Sequence, residues 1–139
     1  MIYYISPSGK DSNPGTEALP FKTLSKINTL QFSAGDKVFI RGGTYVSTQG
    51  NNAWSHLYLQ NINGNAAAPV VISAYPGEYP IFDLNNITPT VSDPTALVIE
   101  DCNYLHIIGL RITGLKQIAS GAGVSRGIDL RNVTNSKLE

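Results

Sequence analysis

Between residues 90 and 131 the chain carries four carboxylates, Asp93, Glu100, Asp101 and Asp129, and three guanidiniums, Arg111, Arg126 and Arg131. Two carboxyls roughly 5–9 Å apart would suit glycosidase chemistry, one donating a proton and the other acting as base or nucleophile. Asp101 and Asp129 occupy non-equivalent points of the surrounding pattern, so nothing places them at that spacing. The four therefore read as surface or turn acids. The guanidiniums offer different chemistry, because a planar fork of N–H donors matches a carboxylate through two parallel hydrogen bonds and so suits a uronic acid. Exposed decoration is the competing reading. Arg126 and Arg131 are the stronger candidates, since they flank Gly114–Arg126, a glycine-rich segment of small residues that would border a groove.

Trp54, His56 and Tyr58 follow a Gly/Asn-rich loop. Trp54 is a candidate for stacking on a sugar ring, with packing across neighbouring strands as the alternative. His56 and His106 lie far apart, without Cys or acidic partners at ligand spacing, which argues against a zinc site. Cys102 is the only cysteine. It can form no internal disulfide, and its apolar setting marks it as a small buried hydrophobe. Gly121-Ala122-Gly123 lacks the helix of a dinucleotide fingerprint, and Gly42-Gly43 lacks a phosphate-loop lysine, so both read as turn glycines.

The elements that must position these groups are short. Of 139 residues, 42% are hydrophobic and only 14% charged, which excludes a disordered chain. Ten basic and ten acidic residues cancel without a Lys/Arg cluster, so a nucleic-acid partner is not expected. No apolar run reaches membrane-spanning length, so no membrane partner is expected either. Runs rich in Val, Ile, Leu and Tyr predict strands over Lys37–Arg41, His56–Asn61, Val70–Ala74, Pro80–Leu84, Ala96–Glu100, Leu105–Ile108 and Gly127–Arg131. One short helix is predicted around Thr23–Leu30, where Leu24, Ile27 and Leu30 recur at threes and Thr23 is placed to cap the start.

An internal repeat decides the architecture. LVIEDCNYLHII (Leu97–Ile108) aligns with IDLRNVTNSKLE (Ile128–Glu139) at an offset of 31 residues. Leu97 falls on Ile128, Ile99 on Leu130, Cys102 on Val133 and Ile107 on Leu138, while Asp101 and Asn132 share a bend. A period of this size with short strands and tight bends predicts a β-solenoid. Leu97, Ile99, Ile128 and Leu130 should then stack inside, with Glu100 one coil from Arg131 on the outer face. Solenoid coils need neighbours and end covers. The expected organisation is a single domain, with an N-terminal cap over about 1–36 and parallel coils over about 37–139.

YYISPSGKDSNPGTEALPFKTLSKI (Tyr3–Ile27), AGDKVFIRGGTY (Ala34–Tyr45) and APVVISAYPGEYPIFD (Ala68–Asp83) resemble the opening segment of secreted bacterial right-handed parallel β-helix proteins. Residues 96–114 and 127–139 resemble the coils of family-nine polysaccharide lyases, which cleave pectate or rhamnogalacturonan. The opening segment is shared with β-helix glycoside hydrolases and mannuronan epimerases. The resemblance implies an all-β right-handed parallel β-helix and an acidic polysaccharide as partner of the parent protein. It also implies β-elimination, in which calcium neutralises the substrate carboxylate and a lysine removes the α-proton. In the family those groups arrive on coils after the segment matching Asn132–Glu139. No catalytic or metal-binding residue is therefore assigned here, and the chain alone is expected to be inactive. The substrate-binding candidates remain Trp54, Arg126 and Arg131.

A secreted or cell-surface location is implied by the same resemblance, although Met1-Ile2-Tyr3-Tyr4 has no signal-peptide character. The pattern ends at Glu139 without a cap. The last coil is expected either to pair end to end with a second copy or to fray, because an uncovered strand edge is a template for pairing.

Overall fold

The computed structural model describes residues 1–117 and 124–139. Gly121-Ala122-Gly123 lies outside the described residues. The backbone winds through three parallel sheets in turn, with the strands β1 (Ile2–Ile5), β2 (Lys37–Ile40), β3 (Gly43–Val46), β4 (Ser55–Gln60), β5 (Val70–Ala74), β6 (Pro80–Asp83), β7 (Thr95–Glu100), β8 (Leu105–Ile108), β9 (Arg111–Thr113), β10 (Arg126–Arg131) and β11 (Lys137–Leu138). The first sheet has the order β1-β2-β5-β8-β11, the second β3-β6-β9 and the third β4-β7-β10. Each of the three complete coils contributes one strand to each sheet, and β1 and β11 extend the first sheet at its two ends. This is a right-handed parallel β-helix, the handedness that parallel crossovers take almost without exception.

Strand alternation sorts the side chains into rows. Inward rows run Tyr3–Val38–Ile72–Ile107–Leu138 in the first sheet. Tyr45–Phe82–Ile112 does the same in the second. In the third sheet the rows are Leu57–Leu97–Ile128 and Leu59–Ile99–Leu130. The predicted offset of 31 is therefore the register of β7 with β10 and of β8 with β11. Cys102 is buried, as its setting predicted, and burial pushes its thiol pKa up. Inward residues of the early and middle coils, such as Ile5, Val38, Ile40 and Val70, are fully buried. In the last coil Ile128, Leu130 and Leu138 are 46%, 51% and 41% exposed, and a cavity of about 230 Å³ opens beside Ile99, Leu105, Leu130 and Val133.

The bend from the third sheet to the first is stacked as well. Asn61, Asp101 and Asn132 each follow a third-sheet strand and each take positive φ (58°, 52° and 48°). Asn and Asp tolerate this left-handed backbone better than other non-glycine residues. The Asn132 Nδ2 donates to Asp101 Oδ1 at 2.7 Å, joining successive bends. Asn103 Oδ1 accepts from both Thr134 Oγ1 and Asn135 Nδ2 at 3.0 Å. The turn from the first sheet to the second uses Gly77 at φ 76°, where a side chain would be strained even though space is open around it.

The predicted helix is present but is a 3-10 helix over Leu24–Thr29. Thr23 occupies the capping position without making a side-chain cap. Its hydroxyl instead donates to Asp11 Oδ2 at 2.8 Å, and Asp11 Oδ1 accepts the backbone N–H of Lys22 and Thr23. Partial burial raises the Asp11 pKa, but these hydrogen bonds outweigh it and leave the carboxyl below its ordinary value. Leu24 and Ile27 are buried, and the helix packs on β4, the edge strand of the third sheet. β1, in the opening segment, pairs with β2 and is part of the first sheet.

Candidate binding face on the third sheet

The connections from the second sheet to the third are hydrogen-bonded to one another from coil to coil through their described residues, and they form a wall. Asn51 receives the backbone N–H of Thr88 on its side-chain oxygen and that of Thr90 on its carbonyl. In the next layer, Lys116 Nζ donates to the Asn85 carbonyl and Val124 N–H donates to Asp93 Oδ1, both at 2.5 Å. Beside this wall lies the outward face of the third sheet. Its rows are Tyr58–Val98–Asp129 and Gln60–Glu100–Arg131, with Trp54 immediately ahead of β4.

Two of the three residues singled out from the sequence meet here. The Arg131 guanidinium carbon lies 4.6 Å from the Trp54 ring centroid, and Tyr58 meets Trp54 edge-on at 6.2 Å and 87°. Such a cation–π contact contributes about 0.5–1 kcal/mol at an exposed site. Val98 points outward between Tyr58 and Asp129, yet it is fully buried and stands apart from the central core. The side chains around it form its roof, so Trp54 and Arg131 belong to a small outer cluster as well as to the surface.

The Arg131 fork differs from the sequence expectation. Its Nη2 and Nε donate to Asp129 Oδ2 at 2.9 and 3.2 Å. The period of two puts Asp129 and Arg131 on the same side of β10, where Asp129 takes the Nε/Nη2 edge of the fork and leaves the Nη1/Nη2 edge for a sugar carboxylate. The Asp129 hydrogen bond also raises the Arg131 pKa. Tyr58 Oη donates to Glu100 Oε2, and this bond raises the phenol pKa by favouring its protonated form. The face therefore presents one aromatic ring that is 38% exposed, a carboxylate, the Gln60 amide and a cation partly satisfied by its own strand.

Arg126 is not part of this cluster. It pairs in register with the fully buried Thr95, on the inward side of β10, and its guanidinium turns to Asp93 at 3.9 Å. Alternation separates it from Arg131, which lies on the other side of the same strand. Arg111 is exposed on β9 of the second sheet. His56, read as part of an aromatic group, is only 2% exposed. Its Nδ1 lies 2.8 Å from Ser47 Oγ, its Nε2 has no hydrogen-bond partner, and burial lowers its pKa. Sequence reasoning did not single out Glu100 as the partner of Tyr58. The strand pairing that joins them, Leu57 with Leu97, has a longer offset than the visible repeat.

Among the described residues no group of three or more His, Cys, Asp or Glu side chains is placed to hold a metal ion. Calcium needs several oxygens converging on one point. Here Asp101 is bound to Asn132 and Asp129 to Arg131, on different parts of the coil. These residues do not fit a calcium site.

The chain belongs to the Pel9A-like, right-handed β-helix family, whose model matches residues 3–139. It is 35% identical to the pectate lyase PEL9 of Emericella nidulans over 105 residues, which cover 75% of this chain and 24% of that protein. It is 31% identical to the lacto-N-biosidase of Bifidobacterium longum subsp. longum, over 80% of this chain and 8% of that protein. A solved rhamnogalacturonan lyase superposes with a TM-score of 0.79 at 31% identity, covering 97% of this chain and 34% of that one. The chain thus spans about a third or less of the relatives it matches.

Proposed function

We propose that this chain forms the opening coils of a secreted, calcium-dependent lyase of uronate-containing polysaccharide, and that the third-sheet face contacts the glycan. The single observation that carries the binding face is the Trp54–Arg131 stack beside the loop wall. The exposed part of the Trp54 ring would meet the C–H face of a sugar. The Nη1/Nη2 edge of Arg131, which Asp129 leaves open, would meet a hydroxyl or carboxylate oxygen, and Arg126 would stand at the wall. The likeness to a pectate lyase and a rhamnogalacturonan lyase supports an acidic glycan. The likeness to a lacto-N-biosidase supports a second reading, in which the same face meets a neutral glycan in a hydrolase.

In this reading the calcium-binding and proton-abstracting groups belong to later coils of the parent protein, and the chain by itself is expected to carry no lyase turnover. Gel electrophoresis through immobilised polygalacturonate tests the proposal. The native chain should be retarded, with weaker retardation for Trp54→Ala and Arg131→Ala. A parallel assay for unsaturated uronate with excess calcium should read blank. Retardation that is equal for native and Trp54→Ala would reject the third-sheet face.

A further inference from the structure

The first sheet carries a second aromatic surface that this role leaves unused. Tyr4 and Phe39 are register partners on the outward side of β1 and β2, with ring centroids 5.6 Å apart. Tyr75 follows β5 and completes the group, 5.8 Å from Phe39 and 6.3 Å from Tyr4. All three rings are partly exposed. Their arrangement is braced from below the turn. The Arg41 guanidinium lies 4.4 Å from the Tyr75 centroid and is held by Glu78 through Nε at 2.9 Å and Nη2 at 2.7 Å. Glu78 also accepts the Gly42 N–H, and Tyr75 Oη donates to Glu17 at 3.0 Å. Three aromatic rings are thus held in fixed relation and open to solvent.

The neighbouring outward row of the same sheet, Ile2, Lys37, Val71, His106 and Lys137, carries two lysines. Lys37 is exposed, and no hydrogen bond or ion pair engages its ammonium among the described residues. Lys137 is paired with Glu139 at 2.7 Å. Strands are about 4.8 Å apart, close to the length of one pyranose unit, so a sugar chain lying along the helix axis would meet one strand per unit. Aromatic faces take the C–H face of a sugar, and an unpaired ammonium beside them complements a carboxylate.

We propose that Tyr4, Phe39 and Tyr75 form a stacking platform for a uronate-containing oligosaccharide, with Lys37 facing its carboxylate, as a site separate from the Trp54 face. This rests on the polysaccharide reading above for the class of ligand, but on different residues. Calorimetric titration of the 139-residue chain with an oligogalacturonate tests it, using thermal unfolding to check that each variant is folded. Tyr4→Ala/Phe39→Ala should weaken binding about tenfold or more. Lys37→Glu, an exposed change that leaves the rings in place, should weaken it several-fold and flatten its salt dependence. Both effects should also hold in a Trp54→Ala background. Native-like binding by both of these variants overturns the platform. Loss of binding in Trp54→Ala alone, with the first-sheet variants unaffected, overturns it while sparing the third-sheet reading. No binding by the native chain overturns both.

Discussion

Ile99 and Leu130 occupy the same inward row of the third sheet, one coil apart, and differ almost completely in exposure. Ile99 is 1% exposed, between Leu59 on one side and Leu130 on the other, whereas Leu130 is 51% exposed with a neighbour on one side only. Leu97 and Ile128 repeat the contrast at 1% and 46%. In a solenoid the burial of a side chain is decided by the coils stacked against it, since each coil contacts only its neighbours. The same residue type at the same point of the repeat can therefore stabilise the chain by very different amounts.

The largest expected effect is that of Ile99→Ala, which should cost on the order of 2–5 kcal/mol in denaturant unfolding because it leaves a cavity between two coils. Leu130→Ala should cost about 1 kcal/mol, since full burial of such a side chain contributes about 1.5–3 kcal/mol and roughly half of this one is already wet. Equal costs for the two would break the comparison. On the outward side, Arg131→Ala should cost about 1 kcal/mol or less, as exposed ion pairs contribute about 0–1 kcal/mol. A loss as large as that of Ile99→Ala would mean that the roof over Val98 is a second core.

A smaller effect should appear with pH. Burial holds His56 below its ordinary pKa of 6.5, so the folded chain binds fewer protons there than the unfolded one. Its neutral ring is compatible with full stability above about 6.5, and stability falls as pH drops through that value toward the lower folded one. The melting temperature of the native chain should fall between pH 7.5 and pH 5, and His56→Gln should fall less. Parallel pH profiles for the two would remove His56 from the account.

Seven of the eleven strands among the described residues are legible in the sequence, and their edges differ by a residue or so at most. The four that were missed explain themselves. β9 and β11 are three and two residues long, too short for a period to show, and β3 begins at a glycine. β1 lay inside a segment assigned to a cap. The repeat at 31 is visible because β7–β10 and β8–β11 share that offset, whereas β4 and β7 are offset by 40, mainly because the bend after β4 takes residues 61–69 and the bend after β7 only 101–104. The helix was found by its apolar spacing, but its 3-10 form and the capture of Thr23 by Asp11 depend on a contact between residues far apart along the chain.

By itself, then, the sequence determined the parallel β-helix, the inward rows and the outward placement of Glu100, Asp129 and Arg131. The solenoid and its rows follow from local alternation and from one repeated spacing, both properties of a single strand and its immediate neighbour, and the parallel β-helix from the family resemblance. Only the tertiary structure decided which outward groups meet. It stacked Arg131 on Trp54, sent Arg126 to Asp93 on the other side of β10, and gathered Tyr4, Phe39 and Tyr75 on another sheet. Those meetings depend on how many residues each coil spends in its loops. That number sets the register between coils and leaves no periodic trace.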